Sequence, residues 1–100
     1  MHTCSVATGD AWLERFMPTI FASAQYRAGR TAVFLTWDET DDSENRIATL
    51  VMAPSVPGGT INRSRFNHYS LLRTTQELLG LRPFLGRAAT ARSMRDAFGL

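Results

Sequence analysis

The stretch Thr31-Ala-Val-Phe-Leu-Thr-Trp-Asp-Glu39 decides how the rest of the chain is read. Five of its first seven residues are apolar or aromatic, and two carboxylates follow at once. A short β-rich apolar run bounded by polar residues reads as a buried strand. In open α/β sheets, ligands bind in the crevice at the carboxyl ends of the strands. Asp38 and Glu39 sit at that end. A charge taken out of water without a partner is costly, so the pair is either solvated in a turn or neutralised by a cation.

Outward from this strand, the chain reads as helix, strand, strand, helix, helix. Asp10 to Ala24 reads as an amphipathic helix, with Trp12, Leu13, Phe16, Met17, Ile20 and Phe21 at helical spacing. Pro18 calls for a kink or a split into two shorter helices. Met1 to Gly9 reads as a loop, and Tyr26 to Arg30 as a linker broken at Gly29. The first strand covers Thr31–Trp37. Thr40-Asp-Asp-Ser-Glu-Asn45 is an exposed acidic loop, and Arg46 to Ala53 is a second strand that stops at Pro54. The intervening loop is too short for a crossover helix, which favours an antiparallel pair or a non-adjacent strand.

Pro54 to Thr60 is turn-rich, and Asn67 is suited to cap a helix. That helix, His68 to Leu79, carries Leu71, Leu72, Thr75, Leu78 and Leu79 on one face, and Gly80 and Pro83 end it. Ala88 to Phe98 reads as a last short helix with Met94, Ala97 and Phe98 apolar. Two strands flanked by helices leave both sheet edges open. The expectation is therefore that residues 1–100 are a fragment of one larger α/β domain.

Composition sets limits. One hundred residues make one small domain at most and bury a modest core. No run approaches the roughly 18 apolar residues of a membrane span. The first residues, Met1-His-Thr-Cys-Ser5, lack the basic start and apolar core of a signal peptide. All eleven basic residues are arginine, and the formal charge is only +2. Arginines run from Arg15 to Arg95, interleaved with acids, so no nucleic-acid partner is expected. The single Cys4 is a free thiol or half of a bridge to a residue outside the chain.

Three groups of residues bear on chemistry. Asp38 and Glu39 offer oxygen donors of the kind hard cations take. Adjacent side chains on a regular strand point to opposite faces, so both reach one ion only if the chain is already turning at Asp38. The competing account is a solvated turn continued by Asp41, Asp42 and Glu44. His68 opens a helix in Asn67-His-Tyr-Ser70, where the helix N-terminus favours anions such as phosphate. An ordinary capping-region histidine has the same spacing. Arg63, Arg65 and Arg73 flank it, and guanidinium matches phosphate geometry, although scattered surface arginine is common. His2 and Cys4 alone fall short of a zinc site. The chain holds no Gly-x-Ser-x-Gly elbow, P-loop or His-Glu-x-x-His.

Taken together, Met1-His-Thr-Cys-Ser-Val-Ala-Thr-Gly-Asp10, Val33-Phe-Leu-Thr-Trp-Asp-Glu39, Ile47 to Pro54, Asn67-His-Tyr-Ser-Leu-Leu-Arg-Thr74, Glu77-Leu-Leu-Gly-Leu81 and Met94-Arg-Asp-Ala-Phe98 resemble a known family. They are similar to the C-terminal part of the bacterial phosphoesterases that include acid phosphatases and phospholipases C of the phosphatidylcholine type, in the alkaline phosphatase superfamily. The resemblance covers nearly the whole chain. It implies an α/β/α sandwich and a secreted or periplasmic phosphoric ester hydrolase acting on a phosphate-ester substrate. It implies that Asp38 and Glu39 lie at a divalent metal ion whose identity is open. It places His2 near the active site, and it makes His68 a candidate for holding the site or the phosphate. It puts the Ser or Thr nucleophile and the first metal ligands upstream of Met1, together with a disulfide partner for Cys4. The isolated chain is then expected to be inactive. Thr40 to Asn45 departs from the family's Gly-rich loop in being acidic.

The mechanism so implied is nucleophilic displacement at phosphorus, with His68 donating a hydrogen bond or a proton. An account from another class is a stand-alone, non-catalytic arginine-rich module binding an anionic partner. Steeply salt-dependent binding to DNA or RNA would favour it.

Overall fold

The structure, a computed structural model, describes residues 3–41 and 43–100. Its elements are α1 (Val6–Phe21), α2 (Ala24–Arg27), β1 (Val33–Thr36), β2 (Thr49–Met52), α3 (His68–Leu78), a 3-10 turn (Gly86–Ala89) and α4 (Arg95–Phe98). The class is mixed α/β, as the sequence indicates.

Helix α1 begins four residues earlier than apolar spacing suggests. The Ser5 hydroxyl accepts a hydrogen bond from the Thr8 amide at 3.2 Å and caps it, so part of the expected Met1–Gly9 loop is helical. Asp10 consequently lies beyond the first turn. The helix runs on through Pro18 without splitting there, and ends at Phe21. Ser23 then caps α2, a single turn inside the expected linker. Gly29, at φ 71°, closes that turn, with Gly29 N–H donating to Tyr26 O and Arg30 N–H to Gln25 O.

Strands β1 and β2 are shorter at each end than the apolar runs. They pair antiparallel, with Val33 opposite Met52 and Thr36 opposite Thr49. At the latter pair the two hydroxyls lie 2.9 Å apart, a cross-strand contact that pins the register beside Asp38.

Helix α3 opens as predicted. The Asn67 Oδ1 accepts from the Ser70 amide at 3.0 Å, while the Ser70 hydroxyl accepts from the Asn67 amide at 3.3 Å. It also ends as predicted. Gly80 at φ 66° donates its N–H to Glu77 O, and Leu81 N–H donates to Gln76 O, a Schellman closure.

The packing of α3 differs from the expectation. Its leucine face is largely uncovered: Leu72, Leu78 and Leu79 are exposed. The buried residues are Ser70, Thr74 and Gln76. The cause lies in the C-terminal segment, which folds back on α3 mostly as irregular chain: of the expected Ala88–Phe98 helix, only Arg95–Phe98 (α4) is α-helical. Irregular backbone needs polar partners. Met94 N–H donates to the Thr74 hydroxyl at 2.8 Å, and that hydroxyl donates to Ser70 O at 2.8 Å. The Arg73 guanidinium donates to Ala88 O and Ala89 O. The Gln76 amide donates to Pro83 O and accepts from Leu85 N–H. Of the apolar residues described, Ala88 and Met94 are buried, and both sit in this returning segment. On α1, by contrast, nothing is buried, and Trp12 and Phe16 stack on each other in solvent at 4.7 Å.

Candidate functional site

The exit of β1 and the first residue of α3 come together at Asp38. His68 Nε2 lies 2.8 Å from the Asp38 carbonyl oxygen, across thirty positions of sequence. A carbonyl only accepts, so Nε2 carries the proton and donates. That leaves Nδ1 as the ring's other hydrogen-bonding position. The contact depends on two local features. The Thr36–Thr49 register fixes where β1 ends, and the Asn67–Ser70 capping box fixes where α3 starts.

Asp38, Glu39 and His68 are all exposed. Exposed carboxylates at a strand exit are chemically suited to a hard cation. Among the described residues, no three His, Cys, Asp or Glu side chains converge to hold an ion. His2 and Asp42 lie outside the described residues. Cys4 is exposed.

Of the three arginines flanking His68, Arg73 is committed elsewhere and is not a phosphate ligand in this arrangement. It pairs with Glu77, bonds the carbonyls of Ala88 and Ala89, and lies 3.7 Å above the Phe84 ring. Glu77 also accepts from the Ser93 hydroxyl at 2.6 Å. The Ser93 hydroxyl, with the Arg73 guanidinium beside it, holds the Glu77 carboxyl below its ordinary value of 4.5. Arg63 and Arg65 are exposed.

Two arginines that spacing does not connect to this helix start flank it in space. Arg87 lies 5.6 Å from the ring centroid of Tyr69, and Arg92 lies 5.5 Å from that of Phe66. Both come from the segment that folds back on α3. Only the Arg73–Glu77 spacing of four was legible as a pair beforehand. Two open grooves, of about 550 and 460 Å³, run along β2 and between the start of β1 and the end of α3. Neither is lined by Asp38, Glu39 or His68.

With this geometry in view, similarity to known proteins has a place to attach. The profile of the phosphoesterase family matches residues 1–82, which contain Asp38, Glu39 and His68. Over 100 residues, 99% of this chain, the sequence is 36% identical to the phosphatidylinositol-3-phosphatase of Mycobacterium tuberculosis (strain ATCC 25618 / H37Rv). The alignment covers 32% of that protein, so the chain spans about a third of its relative's length. No solved structure matches the chain. The profile spans most of the sequence and includes both sides of the His68–Asp38 contact, and the chain belongs to the phosphoesterase family.

Proposed function

We propose that this chain is the C-terminal part of the catalytic domain of a metal-dependent phosphoric ester hydrolase, of the acid phosphatase or phospholipase C type. The observation that carries the reading is the His68–Asp38 hydrogen bond in a member of the phosphoesterase family. It sets a histidine against the strand exit that bears two exposed carboxylates. In this reading Asp38 and Glu39 supply oxygen donors to a divalent cation, and further ligands come from sequence beyond residues 1–100. A cation bound there offers Lewis-acid stabilisation of charge on the phosphoryl oxygens.

His68 has two tasks. Through Nε2–H it ties the start of α3 to the carbonyl of Asp38, which holds the acidic turn in place. Through Nδ1 it exchanges a hydrogen bond or a proton with the substrate or leaving group. His2 is proposed as a second histidine near the same centre. The nucleophile is assigned to sequence outside this chain, so residues 1–100 alone lack activity. Two observations support the part-domain reading: the relative is about three times as long, and the leucine face of α3 and all of α1 lack burial. Export to the periplasm or the exterior, with Cys4 disulfide-bonded, belongs to the same proposal.

The test is hydrolysis of a soluble phosphomonoester and of a phospholipid by the full-length protein, before and after chelation and with single divalent metals restored. Activity abolished by chelation, restored by one metal and lost in Asp38→Asn supports the reading. Undiminished hydrolysis in Asp38→Asn and Glu39→Gln removes both residues from the centre.

A further inference from the structure

Charge is divided unevenly along this chain. Residues 63–100 hold seven arginines against Glu77 and Asp96, a formal charge of +5. Residues 1–62 hold four arginines against seven carboxylates, a formal charge of −3. Inside the basic part lies the loop Leu79-Gly-Leu-Arg-Pro-Phe-Leu-Gly-Arg87. Beyond the leucine face of α3, the loop's Leu81 is 50% exposed and its Leu85 61%. Its arginines, Arg82 and Arg87, are exposed as well.

This exposure belongs to a braced loop. The Leu81 amide donates to Gln76 O, Pro83 O accepts from the Gln76 side chain, and the Leu85 amide donates to Gln76 Oε1. Gln76 is itself buried. One buried residue thus holds the backbone at three alternate positions while Leu81 and Leu85 stay uncovered. Phe84, between them, is gripped by two guanidinium groups, Arg73 at 3.7 Å and Arg82 at 3.8 Å from its ring centroid. Bracing matters because ordering a mobile apolar loop at a surface costs entropy that a fixed loop has already lost.

We propose that the 79–87 loop docks on the surface of an anionic phospholipid bilayer, with Leu81 and Leu85 entering the headgroup boundary and Arg82 and Arg87 pairing with lipid phosphates. Apolar side chains rimmed by cations are what a peripheral interfacial anchor requires. Arginine suits the role because its planar fork meets phosphate oxygens in pairs. The other uncovered apolar face, on α1, has different surroundings: Asp10 and Glu14 against the single Arg15 lie on that helix, within the acidic part of the chain. An anionic surface repels that face, which suits a protein neighbour instead. The family profile ends at Arg82, partway through the loop.

The experiment is vesicle sedimentation of the full-length protein, read as bound protein and not as hydrolysis, so it stands apart from the phosphoester reading. Pure phosphatidylcholine vesicles are compared with phosphatidylcholine–phosphatidylglycerol vesicles at about a 2:1 ratio. The expected result is binding to the anionic vesicles at least roughly tenfold tighter than to the neutral ones, weakening with salt. Arg82→Gln should weaken it roughly fivefold. The double change Leu81→Ser with Leu85→Ser should weaken it about tenfold with little change in Tm, since both leucines are exposed. As a second readout, Leu85→Trp should give a blue-shifted emission component on anionic vesicles that the parent protein lacks. Equal binding to both vesicle types, or no binding, overturns the proposal. So does anionic binding indifferent to the leucine and arginine changes. A leucine double variant that unfolds or loses many degrees of Tm, with Leu85→Trp emission unmoved by vesicles, also overturns it, by showing that protein covers the loop.

Discussion

His68 Nε2 donates to the backbone carbonyl of Asp38 at 2.8 Å, and this one bond joins the start of α3 to the exit of β1. It places an imidazole against the part of the chain with adjacent carboxylates. The bond uses the carbonyl of Asp38 and not its carboxylate, so the acid stays in position for other partners. The candidate centre therefore divides into a positioning contact and a set of chemical groups, and the two respond differently to substitution.

The positioning and acid–base roles of His68 separate through its amide analogue. Gln carries an N–H near the position of the imidazole Nε2 and does not titrate. His68→Gln should keep the structure, with Tm near that of the parent, while activity of the full-length protein falls about 10²- to 10⁴-fold if Nδ1 serves as acid or base. His68→Ala should lose activity and the tie to β1 together. Comparable activity in His68→Gln and the parent would leave His68 as a positioning residue alone. The measurement is kcat/KM against pH with Tm recorded alongside.

Asp38→Asn and Glu39→Gln remove charge with little change in shape. Each should lower kcat/KM of the full-length protein by about 10²- to 10³-fold, the scale of losing one transition-state charge stabiliser. Since both residues are exposed, neither change should shift Tm by more than a degree or two. Metal content per chain, measured after dialysis, should fall with activity.

The Asn67–Ser70 capping box is the structural support of His68. Asn67→Ala should cost about 1 kcal/mol, read as a drop in Tm of roughly 4–8 °C for a domain of this size. Activity should fall by more than the lost folded fraction, because His68 is the first residue of the helix that loosens.

Glu77 makes stability depend on acid. Its carboxyl is held below its ordinary value by the Ser93 hydroxyl and by Arg73. A carboxylate whose pKa is depressed by folding stabilises the folded state fully above its unfolded pKa, and that stabilisation fades as pH falls through the folded value. The window thus opens at about 4.5 and extends downward. In urea denaturation followed against pH, the parent should exceed Glu77→Gln in stability at neutral pH, and the two should converge below that window. A gap that persists at the acid end would assign the effect to packing and not to charge.

Thr74→Val keeps the volume and removes the hydroxyl that accepts from Met94 N–H. The buried amide then has no partner, at a cost of about 1–3 kcal/mol. Hydrogen exchange at Met94 should speed up accordingly, with the 83–95 segment more affected than β1.

The sequence by itself determined the local signals. Apolar spacing marked α1 and both strands. Asn67 and Gly80 bounded α3, because a cap and a left-handed turn are properties of a few neighbouring residues. The Trp37-Asp-Glu39 and Asn67-His-Tyr-Ser70 segments identified the family, and the short loop between the two strands favoured an antiparallel pair or a non-adjacent strand. Ser5 as a cap was legible in principle, hidden by its distance from the first large apolar residue. Tertiary structure alone decided three other things. It brought His68 to the Asp38 carbonyl, a contact across thirty positions that no local pattern encodes. It turned α3 so that Thr74 and Gln76 face inward, against the apolar periodicity, since a returning irregular chain must have its amides and carbonyls satisfied and leucine cannot do that. It kept the expected last helix only as α4 (Arg95–Phe98) and returned the chain before it over α3, where Ala89 O, Met94 N–H and Leu85 N–H bond to Arg73, Thr74 and Gln76. Propensity is a sum over neighbours, whereas a buried hydrogen bond is a demand placed by one distant segment on another, and here the demand prevails.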